Sequence, residues 1–351
     1  MSAEVSELAA LAAHFEKSTA VFGTSPLYQE LCRIVATEPS ILAMLTHRRA
    51  GQQASFLLFA AVHDTLLNGA DHPLRDYYAS LVPEPRDPAD VRPDLLHFIH
   101  EHRDRLDGLI RTRLVQSNVV RRAAALRYAL FAVARYTDQP VHLVEVGASA
   151  GLLLAADRYR YRIGGREFGR PGSAVVIESE WRAEQPVPDL DDVAPIASRV
   201  GVDLNPIDVT HSAERRWLTA LIWPEERASA ALLAAAIAET AEEPPQIVAG
   251  DAAEQCRRIG RDLPNGEPRV VFHSAVRMHV PTEQRAEFDA AIDAIGESGP
   301  LFHAWIEPPD APHHPFPATD VNALMMHGPD DAVPQPLLRV DGHLHWMAPM
   351  S

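Results

Sequence analysis

The spacing of hydrophobic positions changes near residue 137. Before that point, apolar side chains recur every three or four residues, as they do along one face of a helix. These helical stretches are residues 27–35, 52–67, 93–113 and 118–136. Ser25 followed by Pro26 marks a helix start, because the serine oxygen can accept from the first turn and proline needs no N–H partner there. The pattern predicts a helical N-terminal domain over residues 1–137.

From Pro140 onwards, short apolar runs alternate with helical stretches. The strand-like runs are residues 141–146, 174–177, 199–203, 246–249, 270–273 and 301–306. The helical stretches are residues 152–158, 212–222, 227–240 and 282–295. Strands that alternate with helices indicate an α/β domain built on a parallel, doubly wound sheet, here over residues 138–351.

The alternation stops near the C-terminus. Residues 322–326, 337–340 and 343–347 are strand candidates without intervening helices, and residues 340–343 form a turn before the last of them. We therefore predict an antiparallel addition at the edge of the sheet.

Composition excludes several functions. The net charge of −16 argues against general nucleic-acid binding, which needs a basic surface. Cys32 and Cys256 lie far apart and indicate neither a disulfide framework nor a thiolate zinc site. With no signal-like start and no apolar run long enough to cross a bilayer, we expect a cytoplasmic protein without membrane contact. The pattern predicts no particular oligomeric state.

The main candidate site lies where the first predicted strand turns into a helix. Glu145 is followed by Gly147, Ser149 and Gly151. The carboxyl ends of parallel strands are where open α/β sheets bind ligands, and glycine lets the backbone bend tightly beside one. The N–H groups that follow can receive an anion. A plain tight turn is the structural alternative.

Later strands end in polar residues of matching chemistry. Asp203 can accept hydrogen bonds from two ribose hydroxyls, and Asp251, followed by Ala252, can accept from an adenine amino group. The alternative for Asp251 is a cap on the next helix. His273 ends a further strand and Glu307 follows the fifth, where either can act as a general base. Of the 17 histidines, His313 and His314 lie in a proline-rich loop and His343 and His345 share one face of a strand. Because these four lack a carboxylate at ligand spacing, we expect them to be structural and predict no metal site.

In this order, the motifs resemble the class I S-adenosylmethionine-dependent methyltransferases, with Ser149 replacing the middle glycine of their first motif. The resemblance implies a Rossmann-like sheet with an antiparallel C-terminal edge strand and S-adenosylmethionine as cofactor. It also implies that Glu145 fixes the turn, whose backbone holds the methionyl end. The acidic charge of the chain disfavours nucleic acid as the methyl acceptor, and the mixed surroundings of His273 favour a small molecule, with a protein acceptor as the alternative. Asp203 lies unusually far beyond Gly151, which we explain by a β-rich insertion over residues 159–196.

The chain also resembles, over nearly its full length, a bacterial family known as domain-of-unknown-function family 2332. This resemblance identifies relatives and implies no reaction. It rests on residues 145–151, 157–161, 201–208, 216–224, 250–252 and 271–276.

Other functions fit the same residues. Residues 147–151 match G-x-S-x-G, the nucleophile turn of serine hydrolases, with Ser149 as nucleophile, Asp251 as acid, and His303 or His343 as base. The helical stretch before the turn argues against this, because a hydrolase turn normally follows several strands. A nicotinamide dehydrogenase would need G-x-G-x-x-G, which the chain lacks. A noncatalytic methyltransferase-like binding protein is a further alternative, since no family catalytic motif such as N-P-P-Y follows the fourth strand.

Overall fold

A computed structural model describes residues 2–116, 118–308, 313, 315 and 321–350. The α-helices are α1 (Ser2–Val21), α2 (Pro26–Ala36), α3 (Pro39–Leu45), α4 (Ala54–Leu67), α5 (Arg92–Glu101), α6 (Arg103–Thr112), α7 (Ala123–Val133), α8 (Ser212–Ala220), α9 (Arg227–Glu242), α10 (Ala252–Asp262) and α11 (Arg285–Asp293). Among the described residues, none of these helices has the length and apolar character that a bilayer crossing requires.

The strands are β1 (Val141–Val146), β2 (Arg160–Ile163), β3 (Arg166–Gly169), β4 (Val176–Trp181), β5 (Ile196–Asp203), β6 (Gln246–Ala249), β7 (Arg269–Ser274), β8 (Leu301–Glu307), β9 (Asn322–His327), β10 (Gln335–Val340) and β11 (Trp346–Pro349). They form one sheet in the order β3-β2-β4-β11-β10-β9-β8-β7-β1-β5-β6. Most neighbouring pairs are parallel, so the chain has the predicted mixed α/β architecture with a large, mostly parallel sheet.

The chain divides into two compact units, one of Met1–Ser117 with Thr210–Ala234 and one of Asn118–Val209 with Ala235–Ser351. The first unit is helical. As predicted, Ser25 caps α2, its Oγ accepting from the Tyr28 N–H at 3.2 Å, and Pro26 is the first helical residue. A cluster of buried aromatic side chains in its core includes Phe15, Phe22 and Phe59.

This division differs from the predicted boundary at residue 137 in two places. Helix α8 belongs to the helical unit, where Arg216 donates to the buried Asp64 at 2.9 Å and Trp217 donates to the Leu114 carbonyl at 2.9 Å. Helix α7 belongs to the sheet unit, where its Leu130 carbonyl accepts from the Ala194 N–H. Sequence periodicity shows that a segment is helical. It does not show which unit the helix packs in, because the hydrogen-bond partners of α7 and α8 lie far away along the chain.

Two details of the sheet differ from the prediction. The predicted β-rich insertion supplies β2, β3 and β4, but β4 pairs with β11, so these strands extend the main sheet. The placement of an antiparallel strand at the sheet edge was therefore wrong: β9, β10 and β11 lie inside the sheet, and β3 and β6 form its edges. The stretch after Gly151 is a short 3-10 helix, Leu152–Arg158, rather than an α-helix.

Candidate functional site

Five adjacent parallel strands place the predicted site residues along one edge of the sheet. Strands β6, β5, β1, β7 and β8 are neighbours in that order. Across them, Glu145 aligns with Gly201, two residues before Asp203, and His273 aligns with Trp305, two residues before Glu307. Asp203 itself aligns with Ala249, the last residue of β6 before Gly250 and Asp251. The carboxyl ends of these strands therefore form a polar rim, which we define as Glu145, Asp203, Asp251, His273 and Glu307.

The turn after β1 is held by hydrogen bonds from its backbone N–H groups to acceptors on β5. The N–H groups of Gly147 and Ala148 both donate to the Val202 carbonyl, at 2.8 and 3.0 Å. The Ser149 N–H donates to Asp203 Oδ2 at 2.8 Å. The turn is thus fastened to β5 by three of its N–H groups, and Asp203, rather than Glu145, provides the side-chain contact.

Gly147 and Gly151 meet steric demands of their own. Both have left-handed backbones, with φ of +73° and +68°. A Cβ at Gly147 would lie 2.3 Å from Cγ2 of Val276, and one at Gly151 would lie 2.6 Å from Cγ of Pro245. These glycines are required by packing as well as by conformation. The alternative of a structural tight turn therefore accounts for both of them.

Ser149 occupies the position of the missing middle glycine. It also adopts a left-handed backbone, with φ of +51°, which is uncommon for a residue with a Cβ. Its hydroxyl accepts a hydrogen bond from Asn118 Nδ2 at 2.9 Å. Asparagine amide is not a base, so within the described part of the chain Ser149 has no histidine partner of the kind that a serine hydrolase needs.

Glu145 and Asp203 form a buried acidic pair. Asp203 is buried, and its Oδ1 also accepts from the Asn205 N–H at 2.8 Å. Glu145 is buried too, and its Oε2 has no hydrogen-bond partner among the described residues. Burial, together with the charge of Asp203, holds the pKa of the Glu145 carboxyl well above its usual range. The fold therefore favours a protonated Glu145 beside Asp203.

We expect Glu145→Gln to remove a pH-dependent loss of stability. Because the folded-state pKa is raised, the stability associated with Glu145 is complete below its unfolded-state pKa of about 4.3 and falls as the pH rises through the folded-state pKa. The variant, which cannot ionise, should be more stable than the wild type at pH 8, and the difference should shrink towards pH 4. Urea unfolding of both proteins from pH 4 to pH 9 measures this difference. Equal free energies of unfolding over the whole range would show that Glu145 does not titrate as proposed.

Asp251 has the capping role that was its structural alternative. Its Oδ1 accepts from the N–H groups of Ala253 at 2.8 Å and Glu254 at 3.2 Å, at the start of α10. Ala252 is the first residue of that helix. The cap fixes the orientation of the carboxylate, and contact with an adenine remains a prediction.

His273 and Glu307 form a second buried pair. His273 Nδ1 lies 2.8 Å from Glu307 Oε1, which also accepts from the N–H groups of Val276 and Arg277, both at 2.9 Å. Burial by itself raises the pKa of Glu307, but the hydrogen bonds from His273 and the two N–H groups outweigh it and lower the pKa. An ionised carboxylate only accepts, so in the neutral imidazole Nδ1 carries the proton and Nε2 has the lone pair of a base. Glu307 positions His273. Of the two predicted general-base candidates, only His273 has the geometry for that role.

Two further polar residues reach the rim and were not predicted from the sequence. Asn118 binds Ser149, as described above. Arg122 donates from Nε to the Gly342 carbonyl at 3.1 Å; burial lowers the pKa of its guanidinium, and the charge of Glu307 opposes that shift. Both lie in a stretch whose apolar spacing predicted one continuous helix, whereas α7 begins only at Ala123. The signal for them in the sequence was a group of polar residues, Asn118, Arg121 and Arg122, ahead of an alanine-rich run.

The helical unit contains a group of metal-ligand type: His72, His97 and Glu101. His72 Nε2 lies 2.8 Å from His97 Nδ1, and His72 Nδ1 accepts from the Leu74 N–H at 3.0 Å. A neutral His72 therefore carries its proton on Nε2, the atom that would have to bind the metal. The arrangement fits a hydrogen-bonded histidine pair better than a metal centre.

Comparison with known proteins identifies relatives but no reaction. A search of the curated proteins found no match. A family model described as "Uncharacterized protein conserved in bacteria (DUF2332)" matches residues 12–348, which is nearly the whole described chain. The chain therefore belongs to this bacterial family.

Proposed function

We propose that the chain is an S-adenosylmethionine-dependent methyltransferase that acts on a small molecule. The observation that carries the proposal is the buried pair of Glu145 and Asp203 at the carboxyl ends of adjacent parallel strands, beside a left-handed glycine turn. This is the place where open α/β sheets bind nucleotide-like ligands. Glu145 Oε2, which has no hydrogen-bond partner within the described ranges, is a buried polar atom that a ligand can satisfy.

Leu204 adds an apolar surface next to this pair. It follows Asp203 directly and is 77% exposed, although large apolar side chains are usually covered. A flat, weakly polar base would cover it while the ribose hydroxyls reach Asp203. Asp203 Oδ2 accepts from the Ser149 N–H and Oδ1 from the Asn205 N–H, and these bonds hold the carboxylate at the rim beside Leu204. A carboxylate acceptor next to an apolar side chain suits a ribose and a base side by side.

His273 is the residue proposed to handle protons. When bound, S-adenosylmethionine supplies an electrophilic methyl group. Holding an acceptor in line with such a group supplies much of the rate of a displacement reaction. His273, with Nδ1–H held by Glu307, would receive the acceptor's proton at Nε2. Asp203 and Glu145 would bind the cofactor, and Asp251 would accept a hydrogen bond from its adenine amino group.

A noncatalytic binding protein is the second candidate, and the turn favours it. Three N–H groups of the turn are taken by Val202 and Asp203, and Ser149 adds a side chain where the methyltransferase motif has none. Both features reduce the space and the donors left for the methionyl end of a cofactor. Such a protein would bind the adenosine part and transfer nothing.

Isothermal titration of the full-length protein tests the proposal. We expect S-adenosylmethionine and S-adenosylhomocysteine to bind with dissociation constants between about 1 μM and 1 mM, and NAD not to bind. Leu204→Asp should weaken both ligands. Val333→Asp is the matched control, because Val333 is another exposed apolar residue of the same unit, at 54%, and lies away from the rim in sequence. No binding of either ligand at millimolar concentration would overturn the proposal, and binding without methyl transfer to a panel of small hydroxyl, amine and thiol acceptors would favour the second candidate.

A further inference from the structure

A second constellation lies at the opposite ends of the strands. His142 is the second residue of β1, Ser198 lies near the start of β5, and Glu267 lies just before β7. His142 Nδ1 is 2.7 Å from Ser198 Oγ, and His142 Nε2 is 2.7 Å from Glu267 Oε2. The three side chains form a continuous serine–histidine–glutamate chain that the polar rim does not use.

The sheet register explains how they meet. Strand β1 lies between β5 and β7, so a residue at its start has neighbours on both sides. Val141 pairs with Ile196 and His142 with Ser198, which leaves Ala197 as one extra residue in β5. Such an irregularity redirects a side chain, and similar ones are frequent beside active sites. It aligns Ser198 with His142.

The proton positions follow from the acceptor chemistry. A glutamate carboxylate at neutral pH only accepts, so the proton of neutral His142 is on Nε2, facing Glu267. Nδ1 then has a free lone pair, and the Ser198 hydroxyl donates to it. This is the arrangement of an activated serine nucleophile, with the roles of the two ring nitrogens exchanged relative to the usual serine hydrolase triad.

Exposure also fits a reactive serine. The His142 side chain is 8% exposed, whereas Glu267 is 49% exposed and Ser198 is exposed. The base is thus shielded from competing water while the hydroxyl remains within reach of a reagent.

We propose that Ser198 is a nucleophile that accepts acyl groups from small activated carboxylic esters. Ser198 Oγ forms a bond to the ester carbonyl carbon while its proton passes to His142 Nδ1. The carbon–oxygen bond to the alcohol then breaks, and the alcohol leaves with the proton from His142. Water attacks the acyl-serine with His142 again as base, which releases the carboxylic acid and restores the serine.

This site is independent of the proposed methyl transfer. It also differs from the serine that the G-x-S-x-G pattern indicates, because Ser149 has an asparagine partner and Ser198 has a histidine. Sequence spacing does not reveal the second site, since its three members come from three separate segments.

The test is acetylation of the full-length protein by p-nitrophenyl acetate, with the modified residue identified by peptide mass spectrometry. Background on amines is small because Lys17 is the only lysine. We expect an acetyl group on Ser198 that forms at least about 100-fold faster than on Ser40, an exposed serine of α3, and about 100-fold slower in His142→Gln. Ser198→Ala should remove the adduct, and Ser40→Ala should leave it unchanged.

Glu267→Gln keeps the proposal testable if His142→Gln fails to fold, because Glu267 lies at the surface. This variant should slow acetylation of Ser198 by about 10-fold or more. Acetylation of Ser198 at the same rate in wild type and Glu267→Gln, or no faster than that of Ser40, would overturn the proposal. Acetylation at Ser149 alone would do so too, and would restore the motif-based alternative.

Discussion

Replacing Asp203 by alanine is expected to abolish binding of S-adenosylmethionine. Two hydrogen bonds to a charged acceptor contribute about 1.5–3 kcal/mol each, so their loss should raise the dissociation constant at least about 100-fold. The same change removes the contacts to the Ser149 and Asn205 N–H groups, and should lower the free energy of unfolding by about 2–4 kcal/mol. Titration calorimetry and urea unfolding of the same preparations measure the two effects separately.

The Asn118→Ala variant distinguishes two causes of weaker binding: loss of a contact to the ligand and loosening of the turn. It removes the hydrogen bond to the Ser149 hydroxyl and leaves Asp203 in place. We expect a loss of about 1 kcal/mol in stability and a change in affinity of less than about 10-fold. A folded Asp203→Ala variant with wild-type affinity would exclude the ribose contact. Parallel losses of affinity in both variants would show that the shape of the turn matters and the carboxylate does not.

Gly147→Ala is expected to destabilise the protein by about 2–5 kcal/mol without any ligand. The left-handed backbone disfavours a Cβ by about 1–2 kcal/mol, and the clash with Val276 adds about 1–3 kcal/mol of overpacking. Gly165→Ala is the matched control, because Gly165 has φ of +80° and nothing within 4 Å of the added Cβ. The Gly165→Ala variant should lose only about 1–2 kcal/mol, which comes from the left-handed backbone. Urea unfolding measures both differences.

The clash at residue 147 can also be relieved by shortening the side chain of Val276. Val276→Ala removes both of the Val276 methyl carbons, including the one that would lie 2.3 Å from the new Cβ. The double variant Gly147→Ala/Val276→Ala should therefore be less destabilised than the sum of the single variants, with a coupling of about 1 kcal/mol or more. Strict additivity, or equal effects of alanine at Gly147 and Gly165, would contradict the packing explanation.

Much of the architecture could be predicted because its signals are local. The buried run of β1 and the cap at Ser25 each follow from residues next to one another in the chain. The insertion before β5 followed instead from the long distance between Gly151 and Asp203 compared with the motif that the chain resembles. The partner of β4 could not be predicted in this way. Its pairing with β11 joins segments that are far apart in sequence, and the alternation of side chains along a strand does not identify a neighbour.

The same limit applies to the site. The strand ends placed Glu145, Asp203 and His273 on one rim, as the order of motifs predicted. The sequence did not show that Asp203 fastens the turn or that Glu307 is occupied by three donors at Oε1, since these roles depend on backbone N–H groups of other segments. The role of Asp251 was ambiguous for another reason, because a helix cap and a ligand contact require the same carboxylate at the same position.

The position of β11 has a consequence for synthesis. Strand β4 ends at Trp181, and its neighbour β11 begins only at Trp346, so β4 lacks this partner until nearly all of the described chain has been translated. During that interval, its N–H and C=O groups form an open edge that can pair with another nascent chain. Ribosome-bound chains that stop before Trp346 should therefore associate more readily than chains that include β11, and chaperone demand should be greatest just before β11 emerges.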